Sequence, residues 1–213
     1  MNRELRVVDD LAQEGAALFL AVRPRTVTLA GGATPRRLHE RLAQLDYAWA
    51  ETDVCFGDER CVPPDHPDSN FRTVNEALLS RVRARAHRMQ GETCDAMGYE
   101  KELASIFGPA LPRFDLVFLG LGADGHTASL FPGDPALDER ERRVVRVQRE
   151  DHARLTMTLP VLSAASTAVF LVSGERKREA LGRLMADSGI PPARVAAERV
   201  VVLADRAAAG GVS

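Results

Sequence analysis

Apolar and polar positions alternate along the chain between two rhythms. Leu11, Ala12, Gly15, Leu18, Phe19 and Val22 recur at helical spacing across Asp9–Val22. Thr26–Ala30 is a short β-branched run and reads as a strand. Pro35–Leu45 places Leu38, Leu42 and Leu45 on one helical face, and Val54–Phe56 is a second strand. A loop rich in Pro and Asp runs from there to Asn70, followed by helices over Val74–Arg85 and Gly98–Phe107. Phe114–Leu119 is the clearest buried strand, mostly apolar on both faces as central parallel strands are. Weaker strands follow at Val144–Val147 and Leu155–Leu159, then a buried strand at Ala168–Val172. A helix over Lys177–Ala186 and a strand over Arg199–Leu203 complete the series, with Ala207–Ala209 ending a helix before Gly210 and Gly211. Strands alternating with helices predict an α/β fold: a mostly parallel sheet with helices on both faces. No repeat or linker divides the chain, so residues 1–213 are expected to form a single domain.

Composition narrows the function. With 45% hydrophobic and 27% charged residues, a packed core is expected and global disorder is not. The longest apolar run, Ala16–Val22, has 7 residues, too few to span a membrane. The first residues carry early acids (Glu4, Asp9, Asp10) and no signal-type apolar segment, so a cytoplasmic protein is expected. A net charge of −2 lays down no basic field for nucleic acid. Cys55, Cys61 and Cys94 are sparse, odd in number and free of any C-x-x-C spacing, which argues against disulfides and structural zinc and for a reducing compartment. Only Lys101 and Lys177 are lysines among 28 basic residues, so each marks a position where a compact ammonium was kept over a guanidinium. No helix shows a sustained apolar seam, and a monomer is the expectation.

Four loops carry chemistry, each after a predicted strand, where parallel sheets gather ligands. In Gly31-Gly32-Ala33-Thr34-Pro35 the glycines admit a close backbone approach, Thr34 suits an N-cap, and the free N–H groups suit a phosphate. Gly57-Asp58-Glu59-Arg60 sets three charges at a strand end: Arg60 suits an anion, and Asp58 or Glu59 suits holding Arg60 or a base. In Gly120–Ser129, Gly122 and Gly125 bracket Asp124, with His126 beyond; an imidazole beside a carboxylate in such a loop suits a base near neutral pH. His39, His66, His87 and His152 lack that setting and read as structural or merely exposed. Finally, Ser173–Lys177 puts Lys177 in the first turn of a helix at the same sheet edge.

Together these loops resemble the 6-phosphogluconolactonase family, within a superfamily that includes glucosamine-6-phosphate deaminase. The resemblance rests on Ala30–Pro35, on Gly57–Pro64 with Asp68-Ser69-Asn70, and above all on Phe114–Gly122 running into Asp124-Gly-His-Thr-Ala-Ser-Leu-Phe-Pro132. Arg154–Pro160 and Ser173–Lys177 extend it along nearly the whole chain. It implies a Rossmann-like, deaminase-type fold and hydrolysis of 6-phospho-D-glucono-1,5-lactone to 6-phospho-D-gluconate, the second step of the oxidative pentose phosphate pathway. His126 would be the base and Asp124 its orienting partner, with backbone N–H groups of Gly122–His126 as oxyanion donors. The phosphate would sit on Gly31, Gly32, Ala33 and Thr34, closed in by Arg60 and Lys177, with Asp58 and Arg154 also toward substrate. Ala33 stands where many members have Ser, so that hydroxyl contact is lost. No metal or cofactor is implied; functional coupling to glucose-6-phosphate dehydrogenase is. Two alternatives stand beside this reading. In the deaminases an acidic residue falls where this chain has Phe131, which cannot move protons. A non-catalytic sugar-phosphate-binding module is the other.

Overall fold

A computed structural model describes residues 3–210. Seven strands form one parallel sheet: β1 (Arg3–Val8), β2 (Thr26–Leu29), β3 (Asp53–Phe56), β5 (Arg85–His87), β6 (Leu116–Gly120), β9 (Thr167–Val172) and β10 (Arg199–Asp205), in the order β1-β10-β9-β6-β2-β3-β5. The residues of β9 are all buried, as are the four apolar residues Leu116–Leu119 of β6, because the sheet is covered on both faces. Chain order reverses between β2 and β6, and such a switch point opens a crevice at the carboxyl ends of the strands.

Local chemistry sets the element boundaries. Asp10 caps α1 (Leu11–Val22), accepting from the N–H groups of Ala12 and Gln13. Helix α2 (Ala33–Leu42) packs on α1 so closely that a Cβ at Gly15 would lie 3.0 Å from Leu38 Cδ1. One oxygen of Asp115 accepts from the N–H groups of Arg25 and Thr26 and from the Thr26 hydroxyl, pinning the start of β2 beside β6. Further helices are α3 (Asn70–Val74), continued as one wide π-turn over Asn75–Leu79, α4 (Ala96–Phe107), α5 (Leu159–Ser163), α6 (Arg178–Met185) and α7 (Arg206–Ala209).

Several expectations need correction. The weaker strands do not join the parallel sheet: β7 (Val144–Val147) and β8 (Arg154–Met157) pair antiparallel with each other, and β8 with β4 (Asp58–Arg60), in a separate small sheet. Strand β8 stops at Met157 because Pro160 opens α5. The helix expected over Val74–Arg85 begins at Asn70, where Ser69 caps it, and ends at Leu79. Of the expected tail helix, Arg206–Ala209 forms, while Gly211 lies outside the described residues.

Cys61 and Cys94 form a disulfide, against the expectation from cysteine count and spacing. Their Cα atoms are 5.1 Å apart across 33 residues of sequence, a proximity that tertiary folding creates and no local motif announces. The turn before α4 presses on the end of β4 so tightly that a Cβ at Gly91 would meet the carbonyl oxygens of Arg60 and Val62. The inference of a reducing compartment from absent disulfides therefore falls. Cys55 is free and buried. Among the described residues no helix is long and apolar enough to cross a membrane.

Candidate functional site

The four candidate loops follow β9, β6, β2 and β3, which are contiguous in the parallel sheet, so they share one edge around the switch point. There they enclose a cleft of about 180 Å³, lined among others by Gly31, Thr34, Asp58, Arg60, His126, Arg154 and Lys177. Gly32 and Ala33 are not in that lining; Ala33 and Thr34 border a neighbouring pocket.

Helix α2 starts two residues earlier than Thr34 suggests. Gly32, at φ 100°, is the N-cap and makes no side-chain cap hydrogen bond, so the first-turn N–H groups of Ala33 and Thr34 have no side-chain cap. Pro35 has no N–H to orphan there. An anion above this turn would find aligned amides and the positive end of the helix. Gly31 is required by close approach, because a Cβ would fall 1.8 Å from Asn70 Oδ1.

His126 and Asp124 lie beyond β6. The imidazole Nδ1 is 2.6 Å from Asp124 Oδ1, and the His126 backbone N–H donates to the same oxygen at 3.2 Å. With Nδ1–H engaged by the carboxylate, Nε2 is left as the basic nitrogen. Burial pushes Asp124 up, but the His126 N–H and the facing imidazole outweigh it and hold the carboxyl below its ordinary value. Gly122 makes room for this pair, since a Cβ there would lie 2.1 Å from Nδ1 and 2.4 Å from Asp124 Oδ1. The loop's amides are largely engaged: Gly122 N–H donates to His126 O, Gly125 N–H to Gly122 O, and His126 N–H to Asp124. Three of the five amides expected as oxyanion donors are therefore turned inward, within the loop itself.

Three cations face the cleft. Arg60 and Arg154 are directly opposite one another across β4 and β8. Like charges in that register are unfavourable unless something neutralises them. Each also has a buried Nε without a hydrogen-bond partner, and an unmade buried donor is a penalty that an anion would remove. Arg60 is otherwise anchored by its Nη1 donating to the Asp68 carbonyl, and Arg154 by Asp151 at 2.6 Å. Lys177 ends a short 3₁₀ turn before α6; burial lowers its ammonium below the ordinary value, with Asp124 opposing the shift and Arg176 adding to it. Asp205 steadies this loop by accepting from the Ser173 hydroxyl and the Gly174 N–H.

The two acids after β3 have separate duties. Asp58 lines the cleft, with Oδ1 accepting from Asn70 Nδ2 at 3.2 Å and Oδ2 from Ser129 Oγ at 2.7 Å. Glu59 holds neither Arg60's guanidinium nor a base. It is buried and accepts from the N–H groups of Arg60, Asn70 and Phe71 and from the Ser69 hydroxyl, which anchors the start of α3. Burial nonetheless pushes its carboxyl up.

Sequence reasoning missed Asn70 and Ser129 as holders of Asp58. It also left Phe131 without a contact, though the ring lies 4.6 Å from that of His126, beneath the Arg149 guanidinium at 4.0 Å. Asp68-Ser69-Asn70 was a signal for Asn70 within the family motif, but no spacing rule pairs it with Asp58.

Residues 4–203 match the family model for glucosamine-6-phosphate isomerases/6-phosphogluconolactonase. A 6-phosphogluconolactonase of Synechocystis sp. is 43% identical over 182 residues, covering 79% of this chain and 76% of the relative. One from Nostoc sp. is 40% identical over 173 residues, covering 76% and 72%. The crystal structure of 6-phosphogluconolactonase from Thermotoga maritima superposes with a TM-score of 0.87 at 27% identity, covering 96% of this chain and all of that one (100%). By sequence, by fold and by the loops at the sheet's carboxyl edge, the chain belongs to the glucosamine-6-phosphate isomerase/6-phosphogluconolactonase family.

Proposed function

We propose that this chain is a 6-phosphogluconolactonase that hydrolyses 6-phospho-D-glucono-1,5-lactone to 6-phospho-D-gluconate. The observation that carries the reading is the pairing of one carboxylate-held imidazole with three cations around a single cleft. The phosphate rests on the first turn of α2 and between Arg60, Arg154 and Lys177, which fixes the sugar and presents its carbonyl carbon to His126. Nε2 of His126 takes a proton from water as its oxygen bonds to C1. The tetrahedral intermediate collapses by breaking the bond from C1 to the ring oxygen, which receives that proton from the imidazolium. Asp124 holds the ring through Nδ1 and stabilises the imidazolium charge. With the Gly122, Gly125 and His126 amides engaged, the developing oxyanion is left to other donors lining the cleft. Asp58, held by Asn70 and Ser129, is placed to accept from a sugar hydroxyl.

Ser129 is not a nucleophile in this scheme, being fully buried with its hydroxyl donating to Asp58. The deaminase alternative needs an acid where Phe131 packs an apolar ring against His126. We further propose a monomeric, cytoplasmic enzyme acting as one domain and functionally coupled to glucose-6-phosphate dehydrogenase, whose product it consumes. The deciding assay forms the lactone in situ and follows phosphogluconate through a dehydrogenase, with ammonia release from glucosamine 6-phosphate measured alongside. Turnover above spontaneous hydrolysis is expected, falling by about two to four orders of magnitude in His126→Ala. Ammonia release, binding of lactone without turnover, or an unimpaired His126→Ala enzyme would each defeat the proposal.

A further inference from the structure

Outside the cleft's lining, two loops far apart in sequence bring His66, Asp68 and His152 together. One donor atom from each lies within 4.8 Å of the other two. His152 Nε2 is 3.0 Å from Asp68 Oδ2, and His66 Nδ1 is 3.8 Å from that same oxygen. The imidazole rings stand edge to face at 5.5 Å. From sequence both histidines read as structural or merely exposed, because neither sits beside a carboxylate in a glycine-lined loop as His126 does.

We propose that His66, Asp68 and His152 form a binding site for a divalent cation of the zinc class. Two imidazoles and one carboxylate suit Zn²⁺ or Co²⁺ and not Mg²⁺ or Ca²⁺, which take oxygen ligands. Zinc bonds of about 2.0–2.1 Å in tetrahedral geometry put donors about 3.3 Å apart. The His152–Asp68 pair is already that close at 3.0 Å, and His66, 3.8 Å from the same oxygen, must move inward to complete the set. His66 Nδ1 now accepts the Asp68 N–H at 3.1 Å; that N–H is at the surface, where water replaces the ring. The three side chains are partly exposed, which leaves an entry path and a position for water.

The ion's place explains what it would do. Asp68 supplies the carbonyl that anchors Arg60, and His152 is two residues from Arg154. The Cys61 N–H, just after Arg60, donates to the carbonyl of Ala153. A cation bridging the two loops therefore clips together the segments that carry the opposed arginines and adds positive charge beside their anion site. It takes no part in bond-making, and its binding stands or falls independently of the lactonase reading.

Calorimetry on chelator-treated full-length protein with Zn²⁺ tests this, with Co²⁺ absorption and thermal unfolding as second measurements. One ion per chain is expected, with a melting rise of about 5–10 °C when metal is a hundredfold above its Kd. His66→Gln and His152→Gln should each weaken binding by about tenfold or more and cut the melting rise to about half or less at the same metal concentration, while Mg²⁺ does not compete. His126→Ala should bind as wild type does. Undiminished zinc binding in both glutamine variants overturns the proposal. So does loss of binding in His126→Ala, which would put the ion on the catalytic pair instead.

Discussion

Replacing Gly122 by alanine tests whether the geometry of one imidazole governs turnover. The added Cβ would lie 2.1 Å from His126 Nδ1 and 2.4 Å from Asp124 Oδ1. Ordinary contact begins near 3.4 Å, so the ring must retreat by more than 1 Å or rotate off its carboxylate. A displacement of about 1 Å at a reacting group lowers rate by about a hundredfold, equivalent to about 2.7 kcal/mol in the barrier. Losing the Asp124 contact as well removes the group that sets the tautomer. Turnover should therefore fall by at least about a hundredfold, while KM changes little because the phosphate contacts lie on other loops. Gly182→Ala is the matched control: it sits in α6, and its Cβ would meet nothing within 4 Å. The coupled lactone assay, corrected for spontaneous hydrolysis, reads both variants. A Gly122→Ala enzyme within about threefold of wild type, with unchanged melting behaviour, would mean that the His126–Asp124 contact does not limit the reaction.

Arg60→Ala and Lys177→Ala should raise KM and weaken inhibition by inorganic phosphate more than they lower turnover; equal phosphate inhibition of wild type and both variants would misplace the anion site. Cys94→Ser opens a loop spanning 33 residues, which the chain-entropy relation values at about 3–4 kcal/mol, or about 10 °C in melting temperature. Identical melting of wild type with and without reductant would show that the bond does not stabilise the fold. His39 is fully buried with neither ring nitrogen hydrogen-bonded, and burial lowers its pKa from 6.5 to about 3. The unfolded chain then takes up a proton below 6.5 that the folded one refuses, so stability is complete above that pH. It declines as pH falls toward 3, by up to about 1.4 kcal/mol per pH unit. Urea unfolding of wild type and His39→Leu between pH 7.5 and 5.5 should show the steeper decline only in wild type; equal slopes would refute the buried neutral ring.

What was legible in the sequence followed from how strongly each segment depends on its own residues. Leu116–Leu119 and Ala168–Val172 are apolar throughout because they are buried on both faces, and both lie in central strands. Strand β1 escaped notice because Arg3, Glu4 and Arg6 break its apolar run; at the sheet edge, pairing only with β10, it keeps charge that a central strand would exclude. Strands β4 and β5 have three residues each, too short for any period to register. The loops of the site were readable because glycine and charge at a strand end are local signals. Their cross-connections were not: Asn70 to Asp58, Ser129 to Asp58 and Cys61 to Cys94 join segments that only the tertiary fold brings together. The amides of Gly122, Gly125 and His126 looked available for the opposite reason, since sequence cannot show that a tight loop satisfies its own donors.

The facing guanidinium groups of β4 and β8 make this small sheet an unfinished structure on its own. Asp151 offsets part of the Arg154 charge, and a phosphorylated metabolite or free phosphate would offset the rest, so occupancy and conformational stability are thermodynamically linked. The protein should resist unfolding and proteolysis best when its own pathway is charged with intermediates.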